Sequence, residues 1–222
     1  MTERQLSRDD VLALLTEVGS ELRTRRVEAS IYIVGGAAIA IAHDGRRVTR
    51  DVDVAVRAER DDLTEVARVV ADRHGLSPHW LSSAATAFMS NEPDVDAAEL
   101  TIPGLRVAVA SPEHLIAMKL RSFRERDLDD LDLLFRAAGI ATPEEAADIH
   151  DRLFDDSSIG HLDRDEVIYS AKVVFDRAEA AGRPITGRLE PLDSADTSNR
   201  RGTWVPLHSR NGRNVKGHWR KR

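Results

Sequence analysis

Two aspartates, Asp51 and Asp53, stand one residue apart in the run RDVDVAV, and a glycine pair, Gly35-Gly36, ends the apolar run IYIV upstream. In a strand, residues i and i+2 project from one face. Asp51 and Asp53 would then share a face, with Val52, Val54 and Val56 on the other. Their Cα atoms would lie about 6.6 Å apart, close enough for both carboxylates to hold one divalent cation or a pair of ions roughly 3.5–4 Å apart. Two like charges side by side repel, and Asp is a poor strand former, so something positive must offset them. Mg²⁺ suits the task, because it takes oxygen ligands and keeps substrate phosphates among them. Glycines between a strand and a helix N-terminus let backbone N–H groups approach a phosphate. Taken alone, the aspartates fit a solvent-facing strand and the glycines an ordinary tight turn. Their combination points to a phosphate-and-metal site.

The elements that must position these residues follow from the pattern around them. Ser7 opens a helix, with Asp10 completing a capping box and Val11, Leu14, Leu15, Val18 and Leu22 at helical spacing. Ile31 to Val34 reads as a buried strand, Ala37 to His43 as a short helix, and Asp51 to Val56 as a second strand. Leu63, Val66, Val69 and Val70 mark a helix that stops at Gly75. The segment from His79 to Pro93, around Trp80, reads as irregular. Ala97–Ile102 and Leu105–Ala110 read as a hairpin over Pro103-Gly104. Ser111-Pro112-Glu113 starts a helix that carries Leu115, Met118 and Lys119, and Leu128, Leu131 and Leu134 extend a helical stripe to Gly139. Thr142-Pro143-Glu144-Glu145 is a further capping box, and two more helices run to about Ala181. The order predicts an α+β fold: a small mixed β-sheet flanked by helices, with a helical C-terminal half.

The chain of 222 residues has room for one domain of residues 1–182 with a core at 30–135 and a helical part at 111–182. Residues 183–222 read as a linker and a basic tail, open to disorder, with an Asn211-Gly212 turn between short β-like pieces. Residues 198–222 hold eight Lys/Arg and no Asp/Glu, which leaves 24 basic and 38 acidic residues elsewhere, a formal −14. An acidic body argues against broad nucleic-acid binding by the core, while the tail, with an aromatic among its cations in GHWRKR, suits an RNA backbone. No cysteine is present, so disulfides and thiolate metal sites are excluded. No signal-peptide pattern or membrane-length apolar run occurs, so a soluble cytoplasmic protein is the expectation.

Strand, Gly-Gly, helix and then D-V-D on the next strand resembles the nucleotidyltransferase superfamily with a DNA polymerase β-like core. RRVTRDVDV, HWLSSAA and VAVASPEHLIAMKLRSFRERDLDDLDLL resemble the bacterial branch of AbiEii-type and MenT-type toxin nucleotidyltransferases, over about residues 30–135. The resemblance implies that Gly35 and Gly36 bind the phosphates of a nucleoside triphosphate and that Asp51 and Asp53 hold one or two Mg²⁺ ions. It assigns Lys119 a triphosphate contact or an ion pair with the aspartates, and brings Asp130, beyond Arg126-Asp127, toward the site. Asp127 fits a helix-start charge. Thr49 and Arg47 flank the aspartates, within reach of phosphate or acceptor. Glu99, in AAELTIP, is the expected third carboxylate and metal ligand, with Asp94 and Asp96 nearby. The implied activity is nucleotide transfer from an NTP to RNA (a tRNA end included), a protein or a small molecule, as the toxin partnered by an antitoxin protein. The other reading is a catalytically inactive module of the same fold that acts by binding.

Overall fold

The computed structural model describes residues 4–155, 158 and 162–186, and the backbone of four short strands between 202 and 221. The chain divides into two units, Met1–Arg188 and Leu189–Arg222.

In the first unit α1 (Arg8–Thr24) begins at Ser7, whose hydroxyl accepts from the Asp10 amide while the Asp10 carboxylate accepts from the Ser7 amide. Strand β1 (Ala29–Ile33) follows and leads straight into α2 (Gly35–Ala42). Next come β2 (Val52–Ala58), α3 (Arg60–His74), the two-residue β3 (Leu81–Ser82), and the hairpin of β4 (Ala98–Ile102) and β5 (Leu105–Val109). The five strands form one sheet in the order β3-β2-β1-β5-β4. β1 is antiparallel to β2 and parallel to β5, so the sheet is mixed. Val52 and Val54 are fully buried while Asp53 between them is not, which is the alternation of a strand with one core face. α1 packs on α3, and Trp80 fills the core beside them with its indole N–H donated to the Ala67 carbonyl at 2.9 Å.

Four helices complete the unit: α4 (Pro112–Ser122), α5 (Leu128–Ala138), α6 (Pro143–Leu153) and α7 (Arg164–Ala180). α4 packs on α5 and α6, and α6 on α7. The α+β class and the helical C-terminal half are therefore as expected. The segment His79–Pro93, expected to be irregular, contains β3, and three boundaries differ near the glycines and aspartates. β1 starts at Ala29, two residues earlier than the apolar run suggests. α2 begins at Gly35 itself, so the glycine pair is its first turn rather than a separate loop. Asp51 sits in a bend just before β2, because pairing with β3 begins only at Val52, whose amide donates to the Trp80 carbonyl at 2.6 Å. Among the described residues no helix is long and apolar enough to cross a membrane.

In the second unit β6 (Gly202–Val205) pairs antiparallel with β9 (His218–Lys221), and β7 (His208–Arg210) with β8 (Arg213–Val215). The expected Asn211-Gly212 turn lies outside the described residues, as do the segment 187–201 and the side chains of the tail.

Candidate active site

The site is built where β1 ends, α2 begins and β2 starts. The Val34 amide donates to the Asp53 carbonyl at 2.9 Å, which clamps the end of β1 to β2. Gly35 turns there with φ +64°, and a Cβ at this position would stand 2.9 Å from Asp53 Oδ2. Only glycine meets both conditions, a left-handed backbone and a carboxylate pressed against the Cα. A Cβ on Gly36 would stand 3.2 Å from Thr49 Oγ1 and 3.7 Å from Arg47 Nε. The 14 residues between Gly36 and Asp51, the rest of α2 and the loop after it, thus return over the glycine pair. The return is fixed by a one-rung bridge: the Leu6 amide donates to the Thr49 carbonyl at 2.6 Å and the Thr49 amide to the Leu6 carbonyl at 2.9 Å. Thr49 Oγ1 donates to the Asp51 carbonyl at 2.8 Å, so in this structure its proton is directed at the backbone. No side chain caps α2, which leaves its first N–H groups to whatever lies over the glycines.

Asp53 is half-buried, and its carboxyl is pushed up to about 6. Burial is the largest cause and the charge of Asp51 the next; Arg126, Lys119 and Arg124 pull the other way without cancelling them. The two aspartates therefore feel one another, and the charges of three cations reach Asp53 without offsetting its burial. Among the described residues no group of three or more His, Cys, Asp or Glu could enclose a metal ion. A hard cation that keeps waters and substrate phosphates in its shell fits two carboxylates; a cage made wholly of protein does not.

Lys119 is buried on α4, where its Nζ lies 2.7 Å from Asp127 Oδ1 and 2.7 Å from Asp130 Oδ2. Asp127 is not simply a helix-start charge: it is buried, and its other oxygen accepts from Ser122 Oγ at 3.1 Å and the Arg124 amide at 3.2 Å. Burial opposes its ionisation, but the bond and charge of Lys119 with these donors outweigh burial and hold the carboxyl below its ordinary value. Asp130 is 2% exposed and is gripped from the other side by the Arg47 guanidinium, which donates NH1 to Oδ1 and NH2 to Oδ2, the latter at 2.8 Å. Arg47, Asp130, Lys119 and Asp127 thus form a neutral chain of alternating charge.

The structure therefore brings together Gly35, Gly36, Thr49, Asp51 and Asp53, and ties Lys119 and Asp130 to that group through Arg47. It does not bring Glu99 to them. Glu99 is exposed on β4, at the sheet edge, with β1 and β5 between it and β2, about 14 Å away at the usual strand spacing. Asp94 is likewise engaged elsewhere. It is buried and accepts from Tyr32 Oη at 2.5 Å and the Ser111 amide at 2.8 Å, which locks the loop before β4 to the sheet. Two features escape the sequence reading. The charge of Arg124 reaches Asp53, and the cation-rich run RSFRERD was the available signal. Arg47 pairs with Asp130 across 83 positions, and nothing in the local sequence marks that pairing.

A family model described as nucleotidyltransferase of unknown function (DUF6036) matches residues 10–134, more than half of the chain. The chain belongs to this nucleotidyltransferase family. The match covers Gly35, Gly36, Arg47, Thr49, Asp51, Asp53, Lys119, Asp127 and Asp130. Among solved structures, an antigenic nucleotidyltransferase-like protein from Paracoccidioides brasiliensis is similar at 17% identity, over 82% of this chain and 97% of that one, with a TM-score of 0.44. A TM-score of that size adds nothing to the family assignment. No curated protein matches the chain.

Proposed function

We propose that the protein is a Mg²⁺-dependent nucleotidyltransferase. The observation that carries this reading is the contact of Gly35 with Asp53: the position of an absent Cβ is 2.9 Å from the carboxylate oxygen. A phosphate held over the first turn of α2 would lie directly beside that carboxylate. The Gly35 and Gly36 amides would bind the phosphates of an NTP. Asp51 and Asp53 would hold the metal, whose charge would offset the repulsion between them. Bound there, Mg²⁺ supplies charge stabilisation at the transferring phosphoryl group. Arg124 and Arg126, exposed and within electrostatic reach of Asp53, would offset charge on the leaving pyrophosphate. An acceptor hydroxyl oxygen bonds to the α-phosphorus, the bond to the bridging oxygen breaks, pyrophosphate leaves and the hydroxyl proton passes to water.

The toxin role rests on the resemblance of residues 30–135 to AbiEii-type and MenT-type proteins, and RNA as acceptor rests on the basic residues 198–222. The second reading, an inactive binding module, is favoured by one observation: Lys119 and Asp130 already satisfy each other, and no third carboxylate joins Asp51 and Asp53 among the described residues.

The test is incubation with each labelled triphosphate, Mg²⁺ and total RNA or protein, beside an Asp51→Ala/Asp53→Ala variant. Label in one fraction with wild type alone is the expected result. No transfer and no Mg·NTP binding would leave the binding module as the reading.

A further inference from the structure

We propose that Arg47 is a triphosphate-binding residue of this site, donating Nε–H to a phosphate over Gly36, and that Asp130 is the positioning residue that aims it. The inference deepens the nucleotidyltransferase reading and rests on it. Three observations meet at this residue. First, both terminal nitrogens of Arg47 are committed to Asp130, whose Oδ2 also accepts from Lys119 Nζ at 2.7 Å. A carboxylate so engaged and so buried has no oxygen left for a metal ion or for an acceptor proton, and its bidentate grip fixes the guanidinium plane. Second, the remaining donor, Arg47 Nε, is buried and has no partner among the described residues. A buried unpaired donor is costly, and an acceptor placed against it would recover that cost. Third, that nitrogen lies 3.7 Å from the point a Cβ on Gly36 would occupy, over the uncapped first turn of α2. A group that accepts from Arg47 Nε and from the α2 amides at once needs several anionic oxygens in a small volume. A phosphate of the triphosphate chain has that shape.

The charge of Arg47 is already balanced by Asp130, so the expected contribution is directional rather than purely coulombic. Lysine at 47 keeps the charge and loses the fixed Nε–H, which separates the two. Calorimetric titration of the full-length protein with inorganic tripolyphosphate in Mg²⁺ is the direct test. Arg47→Lys is expected to bind about tenfold more weakly than wild type, and in nucleotide transfer to raise KM for the triphosphate about tenfold with kcat within about threefold. Asp130→Asn, which frees the guanidinium, is expected to do the same. Should that variant fail to fold, Arg47→Lys still decides, since it leaves the Lys119 pairs with Asp127 and Asp130 in place. Wild-type affinity in Arg47→Lys, with transfer intact in both, overturns this inference and leaves the nucleotidyltransferase reading standing. Wild-type protein that neither binds tripolyphosphate nor transfers a nucleotide overturns both.

Discussion

Two groups of aspartates lie close together in this protein and are treated in opposite ways. Asp127 and Asp130 are buried, and each meets a cation: Lys119 bridges them and Arg47 closes the far end. Asp51 sits in a bend and Asp53 two residues on in β2, and the cations that act on Asp53 do so through charge. The carboxyl of Asp127 is held low and that of Asp53 is pushed up to about 6. One pair has its counter-ions covalently present in the chain and gives shape. The other is left short of positive charge, which is how a protein keeps a place for a cation that arrives with its substrate.

Removing the open pair should have the largest effect. Asp51→Ala/Asp53→Ala is expected to lower nucleotide transfer by about 10³-fold or more while thermal unfolding stays cooperative. Retained transfer in this variant would end the metal-site reading. Next, breaking the closed pair should cost stability instead. Lys119→Met leaves Asp127 buried without its cation, and a loss of roughly 3 kcal/mol is expected, read as a fall in Tm of about 6–12 °C. A Tm unchanged within a degree would show that the chain of charges is decorative.

Gly35→Ala comes third. It forces a Cβ into φ +64° and to 2.9 Å from Asp53 Oδ2. A cost of about 2 kcal/mol is expected from the left-handed backbone, with a larger loss of triphosphate affinity than of Tm. Smallest is the titration that distinguishes the pairs by sign. Asp53, raised in the folded state, makes the protein bind more protons than the unfolded chain between about pH 4 and 6, so its contribution destabilises as pH rises through that window. Without metal, Asp53→Asn should therefore gain about 1–2 kcal/mol over wild type at pH 7, after allowance for solvent, and nothing at pH 4. Asp127, lowered in the folded state, works in reverse: its stabilisation is present above the ordinary carboxylate range and is lost as the pH falls below it. Mg²⁺ should raise the Tm of wild type at pH 7 and leave Asp53→Asn unmoved.

Much of the site was legible because its parts are local. Gly35-Gly36 form one helical turn and Asp51-x-Asp53 the entry to one strand, and the hydrophobic run around them marks that strand. Where legibility failed, the cause was distance or length. Thr142-Pro143 and Ser111-Pro112 announce their helices, yet nothing in RRVTRD states that Arg47 will reach α5. β3 is two residues long, too short to carry a period, although it fixes where β2 starts and so leaves Asp51 outside the strand. Glu99 was expected from the resemblance, as a third carboxylate on a later strand; AAELTIP does form a strand, but nothing in those residues says that it lies at the sheet edge.

The bridge between Leu6 and Thr49 has a practical consequence. It is a single rung of two hydrogen bonds, and it holds the loop that carries both Arg47 and Thr49 over the glycines. A ladder of one rung opens far more readily than the sheet beside it. The amide protons of these two residues therefore form a built-in gauge: they should exchange with solvent together, ahead of β1 and β2, and slow together when a ligand settles under the loop. Exchange at two backbone positions would then report site occupancy without any label on the nucleotide, and it would do so even for a protein that binds and never turns over.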